Sequence, residues 1–503
     1  MALLILISPL SLMGQTSPYV EGMVCEDVQF NGVCDPDKPG ISDIMVSNQR
    51  EVVRTDSNGR YRLPIEEDMI IFITKPSGYD LPLNEENLPQ FYYIHQPKGS
   101  PELEYQGIEP TGSLPESVDF ALISSEFKSS FTATILTDPT LQERVFPFYR
   151  DGIISEIGNS NADLTIVIGD MMANDLSHFP RYNKIMATLD TPVYNIVGNH
   201  DVNFNIENRY AKETFKSYYG PSYFSFDYGD VHFISLDNID MVDEDGGAYR
   251  GYLNKSQLEW VKNDLQYVSE DKLLVLLAHI PLYSGDTDTR SNNTVNRRDL
   301  YELLDDRDRV LFLCGHRHVI YQHFLDEEHG RKNPNPIHHH SLGVAAGSWW
   351  RGPENKNGIP IATMSDGVPN GYHIFTFEGN TYKDLFKPAG LSKDYQMRIE
   401  MPDRSLTVAE VAETDLIVNV FNGTKYSFVG FRINDNSEWI QMEQQQEYQS
   451  PFVERSGWMK PNTNHHIWKA SLPLMDKGVH RITVWTRDMY GQEFKQNKIL
   501  EIE

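Results

Sequence analysis

Six side chains able to hold a metal ion recur at the ends of apolar runs: Asp138, Asp170, Asn199, His279, His316 and His318. Asp138 follows the run 131–136, Asp170 the run 164–168, and Asn199 the run 192–197. His279 follows the run 273–278, and His316 and His318 follow the run 310–314. Three runs break at a glycine just before the ligand type, at Gly169, Gly198 and Gly315. Carboxylate, amide oxygen and imidazole together suit Mn, Fe or Zn better than the all-oxygen sites of Ca or Mg.

One carboxylate of such a set can bridge two cations about 3.5–4 Å apart, the separation that clamps both oxygens of an in-line phosphoryl displacement. Metal binding also lowers the pKa of water to about 7. His200, next to Asn199, is placed to touch substrate rather than metal, and could protonate a leaving alkoxide or stabilise phosphoryl charge.

To hold these groups together, the apolar runs must be buried strands with functional loops at their ends. Between about 126 and 387 such strands alternate with helical patterns, as in an α/β domain. Segments 145–158 and 258–268 read as amphipathic helices. Segments 224–228 and 231–236 read as a hairpin turning at Gly229-Asp230. Segments 19–122 and 392–503 read as all-β, with short Val/Ile/Tyr runs between turn signals. The C-terminal one reads as an immunoglobulin-like sandwich.

The chain has 503 residues, a net charge of -28 and 40% hydrophobic residues. Length predicts several domains. The acidity argues against non-specific binding to nucleic acid or anionic membranes. No segment is long enough to span a bilayer. Residues 1–18 resemble a signal peptide without a basic start, and a buried first strand is the other reading. Cys25 and Cys34 either pair in an oxidising compartment or remain free thiols in a small β domain, while Cys314 reads as a buried hydrophobe. Asp27, Asn31, Asp35 and Asp37 either bind calcium or form a solvated acidic turn.

The ordered motifs Asp138-Pro139-Thr140, Gly169-Asp170, Gly198-Asn199-His200-Asp201, His279 and Gly315-His316-Arg317-His318 resemble those of calcineurin-like metallophosphoesterases. The resemblance implies an α/β (α+β) core of two facing β-sheets flanked by helices. It implies hydrolysis of phosphomonoesters or phosphodiesters at a dinuclear centre of divalent or trivalent Mn, Fe or Zn. It further implies that Asp170 bridges the ions, that Asn199, His279 and His316 hold the second, that Asp138 and His318 hold the first, and that His200 is catalytic. Thr140 stands where the family has a histidine, which weakens the first site unless water or Gln142 serves.

The whole architecture resembles a bacterial branch with a β domain on each side, the N-terminal one like transthyretin or Cna-B sandwiches. It implies a secreted or periplasmic enzyme whose β domains are available to glycan or protein. In the segment 346–352, Trp349 and Trp350 either stack on substrate at the cleft rim or pack under a loop, and Arg351 and Arg317 are candidates to pair with phosphate. His338-His339-His340 reads as a loop or strand edge rather than a third metal site, and His178 as a solvated loop residue. A pyrophosphate or phospholipid head-group hydrolase would use the same residues. A catalytically inactive binding protein is the competing class, favoured by Thr140 alone.

Overall fold

The strand Ser130–Thr137 lies at the middle of a five-stranded sheet ordered Val193–Ile196, Leu164–Ile168, Ser130–Thr137, Gly371–Glu378, Thr381–Pro388. This is seen in a computed structural model that describes residues 18–34, 38–242, 248–285, 290–436, 438–457 and 459–503. The first three strands are parallel and the last two antiparallel. Leu164–Ile168 and Val193–Ile196 are buried at every position, as parallel strands covered on both faces must be.

A second sheet has six strands, ordered Phe224–Tyr228, Val231–Ser235, Leu273–Leu277, Val310–Cys314, Ile337–Ser341, Tyr321–Leu325. Its four inner strands are parallel. The two sheets share one core, in which Tyr194 of the first stacks on Phe226 of the second at 4.1 Å between ring centroids. The outer face of the first sheet is covered by Phe146, Tyr149, Phe179 and Tyr182. Asp138, Asp170, Asn199, His279 and His316 each lie one to three residues beyond the carboxyl end of a parallel strand. That end is where ligands bind in open α/β sheets.

The N-terminal region forms two four-stranded sheets. Its core is continuous with that of the central sheets, through Phe72 against Trp260 and Phe91 against Phe224. The C-terminal region forms two four-stranded antiparallel sheets with a core of its own. Ile320, Phe386 and Phe421 join it to the central domain.

The hairpin around Gly229-Asp230 forms as expected. The helix expected over 145–158 is instead a succession of short 3-10, α and π turns from Glu143 to Ile157. Its five-residue π segment, Arg150–Ile154, contains Gly152. The second helix spans Lys255–Leu265, starting three residues earlier than expected because Asn254 caps it.

The triple histidine is neither loop nor edge. Ile337–Ser341 is an inner strand, wholly buried between Val310–Cys314 and Tyr321–Leu325. Partners there make the burial of two of the imidazoles tolerable: His338 meets Tyr382 Oη at 2.6 Å and Gln322 Oε1 at 2.9 Å, and His339 Nε2 accepts from Leu282 N.

Cys25 and Cys34 are joined as a disulfide, and Cys314 is a buried free thiol. Asp27 accepts from the backbone N–H of Asn31 and Gly32, which fits the acidic-turn reading. Asp35, Asp37 and the leader-like segment 1–17 lie outside the described residues.

Candidate metal centre

The strand ends converge. Asp138 Oδ1 lies 3.4 Å from His318 Nε2, and Asp170 Oδ2 lies 3.1 Å from His279 Nε2. His316 Nδ1 faces His279 Nε2 at 3.3 Å. Ligand atoms of Asp170, His279 and His316 all fall within 4.8 Å of one another. Asp138 bridges the halves, 4.0 Å from His279 and hydrogen-bonded by the His316 N–H.

Two glycines make this approach possible. A Cβ on Gly198 would stand 2.1 Å from Asp170 N, and one on Gly315 would stand 2.1 Å from Asp138 Oδ2. The loops also hold strained backbone: Asp138, Thr140, Asp170, Asn174, His316, His318, Trp349 and Trp350 all have positive φ. Such residues persist only where their surroundings over-determine them, typically at functional sites.

The donor set fits metal ions. Asn199 Oδ1 is buried without a hydrogen-bond partner among the described residues. A buried acceptor left so is costly unless a cation takes it. His279 Nδ1–H donates to Ile168 O and His318 Nδ1–H to Gly347 O, which turns both Nε2 lone pairs inward. Metal-ligating histidines are oriented in this way. The protonation pattern agrees. Burial opposes charge on His279, yet Asp170 and Asp138 hold its pKa up to about 9. Burial and the neighbouring His279 push His316 down to about 3. Burial works against the Asp170 carboxylate too, but His279 and His200 keep its pKa below the usual range. A proton on His279 thus compensates charge that a cation would otherwise balance.

His200 stands apart from this cluster. Its backbone N–H donates to Asp170 Oδ1 at 2.9 Å, and its Nε2 is 3.9 Å from Asp170 Oδ2. Its Nδ1 donates to Asn174 Oδ1 at 2.5 Å. Asp201 is fully buried, and its carboxylate accepts from the N–H groups of Met171, Met172 and Gly198, tying the loop of Asp170 to that of Asn199. Tyr249 packs edge-on against His316, its phenol pKa pushed up to about 12 by burial and by Asp170 and Asp138. Asn174, Asp201 and Tyr249 were not candidates from the sequence. Asp201 could have been, as the carboxylate that completes the Gly-Asn-His-Asp turn.

The remaining candidates separate. Trp350 does not line the rim: it is 2% exposed, and its Nε1–H donates to Pro139 O. Trp349 is 38% exposed and stacks on His318. Arg351 is exposed, and Arg317 has a buried Nη1 without a hydrogen-bond partner among the described residues. Thr140 donates its hydroxyl to Asp138 O at 3.2 Å. Gln142 is exposed at the head of the Glu143–Val145 turn. His178 is not a freely solvated residue, since it pairs with Asp175 at 3.4 Å and packs edge-on against Phe146.

A second buried cluster, His340, His373 and Asp384, also has metal-competent spacing. Two of its members are committed to hydrogen bonds, whereas both ring nitrogens of His340 are buried without a hydrogen-bond partner among the described residues. His373 Nε2 accepts from Gly343 N, so Nδ1 carries the proton that is donated to Asp384 at 2.8 Å. Asp384 also accepts from Asn422.

Profiles of one family match most of the chain. "N terminal of Calcineurin-like phosphoesterase" matches residues 28–106, "Calcineurin-like phosphoesterase" residues 142–320, and "C terminal of Calcineurin-like phosphoesterase" residues 339–494. The chain belongs to the calcineurin-like phosphoesterase family. The central match begins after Asp138 and Thr140, and the C-terminal match begins inside the strand that carries the triple histidine. The N-terminal sheets therefore match a domain of this same family.

A curated relative, "Probable glycerophosphodiester phosphodiesterase GpdQ" of Arcobacter nitrofigilis, is 29% identical over 163 residues, 31% of this chain and 57% of the relative. The chain thus spans little more than half of that relative's length. Among solved structures, a dimetal phosphatase from Danio rerio has 13% identity and a TM-score of 0.36 over 51% of this chain and 98% of its own. Purple acid phosphatase PPD1 from yellow lupin has 13% identity and a TM-score of 0.39, over 69% and 67%. Likenesses this distant do not assign a function.

Proposed function

We propose that this chain is a metal-dependent phosphoesterase, hydrolysing phosphomonoesters or phosphodiesters at a dinuclear centre. The observation that carries the reading is the buried, unpartnered Asn199 Oδ1, set beside carboxylates and inward-turned imidazoles on converging strand ends. Asp170, Asn199, His279 and His316 would hold one ion, and Asp138, Asp170 and His318 the other. The chemistry such a centre would supply is polarisation of the phosphoryl oxygens and hydroxide at neutral pH.

The chain's own residues do the rest. Asp170 fixes the His200 backbone, and Asn174 holds the His200 Nδ1–H, so Nε2 is the nitrogen left to exchange a proton. That nitrogen, protonated, donates to the leaving alkoxide. The name of the glycerophosphodiesterase relative favours diesters. Turnover of an aryl phosphodiester and an aryl phosphomonoester by metal-loaded protein tests the reading. Activity on neither, with the metals bound, would return the chain to the class of binding proteins.

Export is part of the proposal. The Cys25–Cys34 disulfide fits an oxidising compartment. No helix among the described residues is long and apolar enough to cross a membrane.

A further inference from the structure

Trp349 and Trp350 are consecutive residues at φ 60° and 55°. For a bulky side chain that region is strained. The cost needs a structural reason, and each tryptophan shows a different part of it. Trp350 is the anchor: its ring is buried near Phe148, its Nε1–H is bound to Pro139 O, and its backbone N–H is bound to Ala346 O. Ala346 N in turn donates to Asp138 O, and Gly347 O accepts from His318. The loop is therefore clamped to the metal centre on both sides.

Trp349 is what the clamp presents. Its indole lies parallel to His318, with centroids 4.8 Å apart and planes at 12°, and meets His200 edge-on at 5.8 Å. It touches both a candidate ligand of the first ion and the candidate acid, yet remains 38% exposed. An apolar ring held in a strained conformation, unburied, beside the group that would protonate the leaving group, is placed against whatever that group carries.

Resting on the phosphoesterase reading, we infer that Trp349 is a specificity-determining residue that stacks on a flat ring in the ester's organic group. His318 covers one face of the indole, which leaves the other for a planar π-system. The substrate class is thus an aryl or nucleobase-bearing phosphoester rather than a simple alkyl or glyceryl one. Aromatic stacking on a base is worth about 1–3 kcal/mol, or roughly 5- to 150-fold in affinity.

Binding of phenylphosphonate and methylphosphonate to the metal-loaded protein, measured by calorimetry, isolates the ring, because the two share the same anion. The wild type is expected to prefer phenylphosphonate by about tenfold. Trp349→Phe should keep most of the preference. Trp349→Gly accepts the positive φ without strain, and should lose the preference while binding methylphosphonate and metal as before. A cyclohexyl analogue bound as well as the phenyl one would replace stacking by plain apolar contact and overturn the inference. So would a preference that survives in Trp349→Gly, or weakened binding of both phosphonates together with loss of metal, which would make the indole a mere support for His318. A wild type that binds neither phosphonate while holding metal would sink the phosphoesterase reading along with the inference.

Discussion

His200 Nδ1 lies 2.5 Å from Asn174 Oδ1, across 26 residues of sequence. An amide oxygen only accepts, so Nδ1 carries a proton and Nε2 is the nitrogen turned to the side of Asp170. Asn174 can reach because its backbone is left-handed, at φ 77°, a conformation that Asn, Asp and Gly adopt readily.

From this pair follows a three-variant test. His200→Ala should lower turnover by about 10²–10⁴ with metal content intact, and lower it less for a nitrophenol leaving group than for an alcohol. Asn174→Asp keeps an acceptor and should retain most activity. Asn174→Gly keeps the backbone, loses the acceptor, and should show part of the His200→Ala loss in kcat with KM little changed. An active glycine variant beside an inactive aspartate variant would reverse the donor and acceptor assigned to the pair.

Thr140 has φ 49° and a buried hydroxyl bonded to the carbonyl of Asp138. A β-branched residue is strained there, whereas His tolerates the region better. Thr140→His should therefore ease the backbone strain, though a larger ring at this buried position costs some packing. It should add a ligand to the ion held by Asp138 and His318, and lower the metal concentration needed for half-maximal activity. Metal titration of activity in both proteins checks this. Superimposable curves would mean that the imidazole does not reach the site.

Protons and metal compete for His279. With its pKa held at about 9, the residue is protonated at pH 7 in the metal-free chain. A ligating imidazole must be neutral, so metal entry must expel that proton. Affinity should consequently rise with pH up to about 9 and level off above it. Calorimetric titration at pH 7 in buffers of different ionisation enthalpy should report net proton release. Metal uptake without proton release would show that His279 does not bind the ion.

Much of this centre was legible because strands that end in a glycine and a ligand type are local patterns. The runs before Gly169, Gly198 and Gly315 needed no tertiary knowledge to be read as buried strands. The contact of Asn174 with His200 was not legible, since it depends on one left-handed residue and on a neighbour from another loop. The triple histidine misled for a physical reason: imidazoles suggest exposure until their partners, Tyr382, Gln322 and the Leu282 N–H, are in place. Trp349 and Trp350 look alike in sequence. Only the loop's backbone decides that one is an anchor and the other faces outward.

Asp170 is proposed to join a pair of ions, and bound metal per chain after dialysis, for wild type and Asp170→Asn, measures this directly. The substitution keeps shape and the acceptor for the His200 N–H but removes the charge shared by both ions. The account predicts two metals and phosphodiester turnover in the wild type, and loss of most metal and nearly all turnover in the variant, with its circular dichroism unchanged. An Asp170→Asn protein that keeps two metals and full activity would contradict it.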